Sequence, residues 1–113
     1  MPSLPTKNAN VFVDVDLTLV DANGYLISGA REALQMLKEK GCHLYLWSTV
    51  GAEYARITAQ RHRLTEFFEG FSAKPDIVID DMPGTVLNPF VFNPCEESSW
   101  QSLAGKIIKK HID

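Results

Sequence analysis

Short apolar runs alternate with amphipathic stretches along this chain, and the apolar runs predict strands. Residues 10–15 and 43–47 are rich in Val, Leu and aromatic side chains, which favours strands that are buried on both faces. Shorter apolar runs at residues 70–73 and 77–79 predict a third and a fourth strand, and residues 90–92 predict a stub of a fifth. We therefore expect a sheet of four to five strands.

Apolar residues at helical spacing predict helices between and after these strands. Residues 30–37 carry this spacing, and Gly41 gives the helix a C-terminal stop. A second helix is expected near residues 52–63. For the final helix, Ser98 and Gln101 form a capping box. Its predicted apolar face consists of Trp100, Leu103, Ala104, Ile107 and Ile108.

A hairpin is predicted between the first strand and the first helix. Asn23 and Gly24 lie between apolar pairs, and both suit a type I′ turn, which needs positive φ at its two central positions. Strands that alternate with helices favour right-handed crossovers and a parallel sheet. We therefore expect one α/β domain over residues 1–113, a Rossmann-like three-layer sandwich with a mostly parallel sheet and a β-hairpin flap.

Composition and charge narrow the range of partners. The chain has 113 residues, 45% hydrophobic and 22% charged, as is typical of a globular protein. A net charge of −3 makes nucleic acid an unlikely main partner. Residues 1–8 lack the apolar core of a signal peptide, and no apolar run has membrane-spanning length. Cys42 and Cys95 lie far apart, which favours reduced thiols in a cytoplasmic protein without a membrane partner.

Polar side chains follow three of the predicted strands and would meet at one edge of a parallel sheet. They are Asp14 and Asp16, Ser48 and Thr49, and Asp80 and Asp81, with Lys74 just ahead of the last pair. Two carboxylates about 4 Å apart repel by roughly 4 kcal/mol at an effective dielectric of 20, so the cluster requires a cation. Oxygen ligands without His or Cys suit Mg²⁺. A cation, a lysine and hydroxyl groups around a carboxylate predict a site for a phosphoryl group.

In this order, the residues resemble the signatures of the haloacid dehalogenase-like (HAD) superfamily of phosphohydrolases. The segment Asp14-Val-Asp16-Leu-Thr18 is similar to the first signature, Asp-x-Asp-x-Thr. Ser48 is similar to the second signature and Lys74 to the third. Asp80-Asp81 is similar to the fourth, so the resemblance covers roughly residues 10–82.

The resemblance implies a role for each matching position. Asp14 would be the nucleophile that forms an aspartyl-phosphate, and Asp16 would be the general acid and base. Ser48, with help from the backbone N–H of Thr49, would bind the phosphoryl oxygens, and Lys74 would stabilise their charge. The implied ligands of Mg²⁺ are Asp14, the carbonyl of Asp16, and one or both of Asp80 and Asp81.

The lengths of the intervening segments imply a minimal member of the superfamily without a cap domain. Residues 23–31 hold only the predicted hairpin, and residues 51–74 hold only a helix and a strand. The site should therefore be open. Its phosphorylated substrate would be a small molecule or a phosphoprotein. A second subunit of a homo-oligomer could cover the open site. A receiver-like or degenerate phosphate-binding domain is the alternative, but Asp16 favours an enzyme because turnover needs an acid and base. Phosphotransfer to an acceptor other than water is equally compatible with these residues.

Overall fold

Three parallel strands, in the order β1-β2-β3, form the sheet that positions the polar residues. The computed structural model describes residues 8–81, 92–94 and 96–113. The strands are β1 (Asn10–Asp14), β2 (His43–Ser48) and β3 (Phe68–Ala73). The helices are α1 (Ala30–Glu39), α2 (Ala52–Arg61) and α3 (Trp100–Ile107), and α3 continues as a π-helical turn, Ile108–Ile112. The α/β class and the parallel sheet are confirmed for these residues.

Strands β1 and β2 are buried on one face, and the expectation that they are buried on both faces is wrong. Along β2, buried Leu44, Leu46 and Ser48 alternate with half-buried His43, Tyr45 and Trp47. Crossovers between parallel strands are right-handed as a rule, and in a sheet of order β1-β2-β3 this rule puts both connecting helices on one face, which accounts for the alternation. On the opposite face, Phe12 is 48% exposed and stacks on Tyr45, with ring centroids 4.9 Å apart.

The helices form because small or apolar residues recur on their inner faces. Helix α1 buries Ala30, Ala33, Leu34 and Leu37, as predicted, and Gly41 follows it with φ +88°. Helix α2 instead buries Ala55, Thr58 and Ala59, small or β-branched residues that allow a close approach to the sheet. Its apolar side chain Ile57 is therefore exposed, and Tyr54 is half-buried.

The final helix is confirmed, but its cap lies one residue later than predicted. The Ser99 hydroxyl, not that of Ser98, accepts the backbone N–H of Ser102 at 3.0 Å. Helix α3 buries Trp100, Leu103, Ala104 and Ile107 and packs against α1. This packing also brings α3 to the loop after β1, as described below.

The hairpin forms with a different turn from the one predicted. Val20 and Leu26 form an antiparallel bridge, and the N–H of Asp21 donates to the carbonyl of Tyr25 at 2.8 Å. Gly24 has φ +84°, whereas Asn23 does not have positive φ, which excludes a type I′ turn. The Asp21 carboxylate instead accepts the N–H groups of Asn23 and Tyr25 and closes the loop from within.

The predicted fourth strand at residues 77–79 is wrong for this structure. These residues form no ladder, and Ile77 and Ile79 are 83% and 97% exposed. A strand requires a partner for its N–H and C=O groups, and the three-stranded sheet of the described residues does not extend to this segment. Of the predicted fifth strand, residues 90 and 91 lie outside the described residues, and Phe92 is not in a strand.

Candidate active site

The carboxyl ends of the three strands bring several predicted site residues to one edge of the sheet. Asp14 ends β1 in register with Trp47, and Ser48 ends β2 in register with Ala73. The N–H of Lys74 donates to the carbonyl of Ser48 at 3.0 Å, so Lys74 continues the ladder beyond β3. Lys74 thus reaches this edge from the end of the third strand.

The Asp14 carboxylate is held from two sides. One oxygen lies 3.2 Å from Nζ of Lys74, and the other accepts the hydroxyl of Thr18 at 3.3 Å. The side chains of Asp14 and Lys74 are each about one-third exposed, so the pair is open to a ligand from solvent. The Lys74 ammonium also lies 5.8 Å from the centre of the Trp47 ring. Asp14 therefore has a fixed direction, a neighbouring cation and an accessible face.

A tight loop after β1 presents Asp16. The carbonyl of Val15 accepts the N–H groups of Leu19 at 2.9 Å and Val20 at 3.1 Å, which curls the chain into a single turn. Leu17 has φ +61°, a left-handed conformation that is uncommon for a residue with a side chain. The indole N–H of Trp100 donates to the carbonyl of Thr18 at 2.9 Å and ties this loop to α3.

Asp16 has a partner that the sequence analysis did not identify. The phenol of Tyr54 donates to one oxygen of the Asp16 carboxylate at 2.7 Å. This hydrogen bond, with partial burial and the charge of Asp16, raises the pKa of the Tyr54 phenol above its ordinary value. The sequence signal for this partner was the position of Tyr54 in the first turn of α2, which follows the polar end of β2.

The second predicted signature lies at the expected edge but in a different environment. The Ser48 side chain is 1% exposed, and its Oγ accepts the N–H of Val50 at 3.0 Å. Because neighbouring side chains of a strand point to opposite faces, Ser48 faces the helices whereas Trp47 is half-buried on the opposite face. Thr49 is exposed at this edge. The structure therefore gives the Ser48 hydroxyl a clear role in fixing the turn after β2.

The expected cluster of four carboxylates is not assembled in the part of the chain that the structure describes. Asp80 and Asp81 are exposed, and among the described residues no three His, Cys, Asp or Glu side chains are placed to hold a metal ion together. The reason is the segment 77–79, which was expected to carry both residues to the sheet edge as a strand. Of the four, Asp14 at the end of β1 and Asp16 in the loop after it lie at this edge.

The donor atoms at the edge nevertheless fit Mg²⁺ by their chemistry. Mg²⁺ keeps several waters and is usually held by one or two carboxylates together with substrate phosphate, not by a complete protein cage. Asp14 would supply a carboxylate oxygen and Asp16 its backbone carbonyl, and Thr18 has a hydroxyl beside Asp14. These residues would hold such an ion only with water or a phosphate completing its coordination.

The flap is attached to helix α2 by its tip. His62, the residue after α2, contributes its Nε2 to a hydrogen bond of 3.1 Å with the carbonyl of Gly24. Arg31 at the start of α1 donates to the carbonyls of His62 and Arg63. The side chain of Tyr25 at this tip is 70% exposed.

None of the helices in the described residues is both long and apolar enough to cross a membrane.

Comparisons with known proteins add no functional assignment to this site. Neither the models of known protein families nor the curated proteins give a match to this chain.

Proposed function

We propose that this chain is a Mg²⁺-dependent phosphomonoester hydrolase of the HAD type, with Asp14 as its nucleophile. The observation that carries the proposal is the pair of Asp14 and Lys74, 3.2 Å apart at the carboxyl ends of parallel strands. Ligands of open α/β sheets bind at this edge. Asp16 stands two residues further on, with its carboxylate oriented by Tyr54.

The proposed reaction has two steps at phosphorus. An Asp14 oxygen attacks phosphorus, the bond to the leaving oxygen breaks with its electron pair, and Asp16 gives that oxygen a proton. Asp16 then takes a proton from water, the water oxygen attacks the aspartyl-phosphate, and the bond between phosphorus and Asp14 breaks to release inorganic phosphate. Lys74 stabilises the negative charge shared by Asp14 and the phosphoryl group. A bound Mg²⁺ would neutralise phosphoryl charge and orient the group.

The proposal includes features beyond the described three-stranded sheet. It takes the fold to be a Rossmann-like three-layer sandwich without a cap domain. It also takes one or both of Asp80 and Asp81 as metal ligands when the ion and a phosphate are bound together. The substrate is a small phosphate ester or a phosphoprotein, because the net charge of −3 opposes nucleic acid.

The direct test is phosphate release from a panel of phosphorylated metabolites, nucleotides and phosphopeptides, with and without Mg²⁺. We expect release that stops on chelation and returns when Mg²⁺ is added. Mg²⁺ should also raise the melting temperature, because a ligand that binds only the folded state stabilises it. That gain should shrink in Asp81→Ala. Absence of Mg²⁺ binding at millimolar concentration with a phosphate analogue present would contradict the proposed metal site.

Replacing the acid and base should separate the two steps. In Asp16→Asn, release of phosphate should fall by about 10²–10⁴-fold, the usual contribution of general acid–base catalysis. With p-nitrophenyl phosphate, whose leaving group departs without a proton, the first step should proceed and the phosphoenzyme should accumulate. Intact-protein mass spectrometry would detect the added phosphoryl group. A wild-type protein that holds this group without releasing phosphate would indicate a receiver-like domain instead.

A further inference from the structure

We propose that Tyr54 is a positioning residue that fixes the Asp16 carboxylate for proton transfer. The inference rests on the proposed hydrolase function and extends it to a residue outside the signatures that the sequence displays. Its basis is the hydrogen bond of 2.7 Å from the Tyr54 hydroxyl to the Asp16 carboxylate, across 38 residues of chain.

Asp16 needs an external restraint because of where it lies. It is exposed and sits in the loop between β1 and the flap, next to Leu17 in its left-handed conformation. Tyr54 is half-buried in the first turn of α2, whose Ala55 and Ala59 pack into the core. The hydrogen bond from Tyr54 therefore holds the exposed side chain of Asp16 against a helix that is packed on the core. Acid–base catalysis depends on such placement, because small displacements of a reacting group cost large factors in rate.

The contact also differentiates the two oxygens of Asp16. Oδ1 is the acceptor of the Tyr54 hydroxyl, so the proton that Asp16 delivers to the leaving group is carried on Oδ2. A tyrosine phenol is protonated throughout the neutral pH range, so Tyr54 remains a donor to Asp16 there. Tyr54 takes no part in the chemistry itself and acts only through Asp16.

The decisive variant is Tyr54→Phe, which removes the hydroxyl and retains the ring. The comparison is kcat/KM for two substrates with Mg²⁺: an alkyl phosphate, whose leaving oxygen needs a proton, and p-nitrophenyl phosphate, whose leaving group does not. We expect kcat/KM for the alkyl phosphate to fall about tenfold more than that for the nitrophenyl ester, since only the alkyl ester relies on Asp16 as an acid. A general loosening of the site would slow both substrates equally and would overturn the inference.

Three further measurements make the result specific. Tyr45→Phe removes a hydroxyl from a half-buried tyrosine of β2 and should leave both values unchanged. In an Asp16→Asn background, Tyr54→Phe should have no additional effect, because the double-mutant cycle then lacks the group through which Tyr54 acts. An additive loss in that background contradicts the inference. Ultraviolet titration tests the contact without measuring activity. The titration of the Tyr54 phenol is identified by its loss in Tyr54→Phe, and in Asp16→Asn the pKa of that phenol should be lower.

The outcomes also separate this inference from the proposed function. A wild-type protein that hydrolyses neither ester with Mg²⁺ contradicts the function, and the inference falls with it. A wild-type protein that hydrolyses both, with a Tyr54→Phe variant that does not discriminate between them, contradicts the role of Tyr54 alone.

Discussion

We expect Asp14→Asn to abolish phosphate release from every substrate that the wild-type protein hydrolyses, while the protein remains folded. The amide cannot attack phosphorus to give an acyl phosphate, so the loss should exceed about 10³-fold, as for other essential nucleophiles. Release of inorganic phosphate at saturating Mg²⁺ measures the effect. Near-normal kcat in this variant would show that Asp14 is not the nucleophile.

The same variant should change stability little. The Asp14 side chain is about one-third exposed and its partner Lys74 likewise, and ion pairs near the surface contribute only about 0–1 kcal/mol. The melting temperature should therefore stay within a few degrees of the wild-type value, by the usual relation of stability to melting temperature. Asp113→Asn is the matched control, since Asp113 forms an exposed ion pair with Lys40 after α1, away from the carboxyl ends of the strands. It should lose no activity.

The sequence predicted those parts of the fold whose signals are local. Helix α1 has its apolar spacing and Gly41 within one segment, and the structure reproduces both. The parallel order of β1, β2 and β3 follows from the two helical crossovers, which also bring Asp14 and Lys74 to the same edge. In these cases local pattern and chain connectivity favour the same arrangement.

The predictions that failed depend on tertiary partners. Residues 77–79 have the composition of a strand, yet a strand also requires a neighbour with which to pair, and composition does not supply one. Ser98 and Ser99 are both good caps, and the choice between them depends on how α3 packs. The hydrogen bond from Tyr54 to Asp16 joins a loop to a helix face, and no periodicity marks such a contact.

Trp100 shows most clearly how a distant segment supports the candidate site. In the sequence, Trp100 is one apolar position of an amphipathic helix, and this pattern predicts that it is buried. The structure confirms the prediction, because the residue is only 4% exposed. The structure adds that its indole N–H binds the carbonyl of Thr18, 82 residues earlier. The helix that carries no signature residue thus restrains the loop that carries Asp16.

Trp100→Ala should therefore cause the largest loss of stability among the variants considered. Removing a buried tryptophan side chain typically lowers the free energy of unfolding by about 3–5 kcal/mol. For a domain whose total stability is typically about 5–15 kcal/mol, that is a large fraction. Urea denaturation followed by circular dichroism measures it. Leu103→Ala is the control: Leu103 is also buried on α3, and its loss of about 2–5 kcal/mol should come from packing alone.

Trp100→Phe isolates the hydrogen bond from the packing. The phenyl ring fills much of the same space but cannot donate to Thr18, so the carbonyl loses its partner at a cost of about 1–3 kcal/mol if it stays buried. Because that carbonyl lies two residues beyond Asp16, kcat should fall in Trp100→Phe at temperatures where the protein is fully folded. Leu103→Ala, measured at the same folded fraction, should keep its kcat. Equal kcat in the two variants would mean that α3 stabilises the fold without restraining the loop.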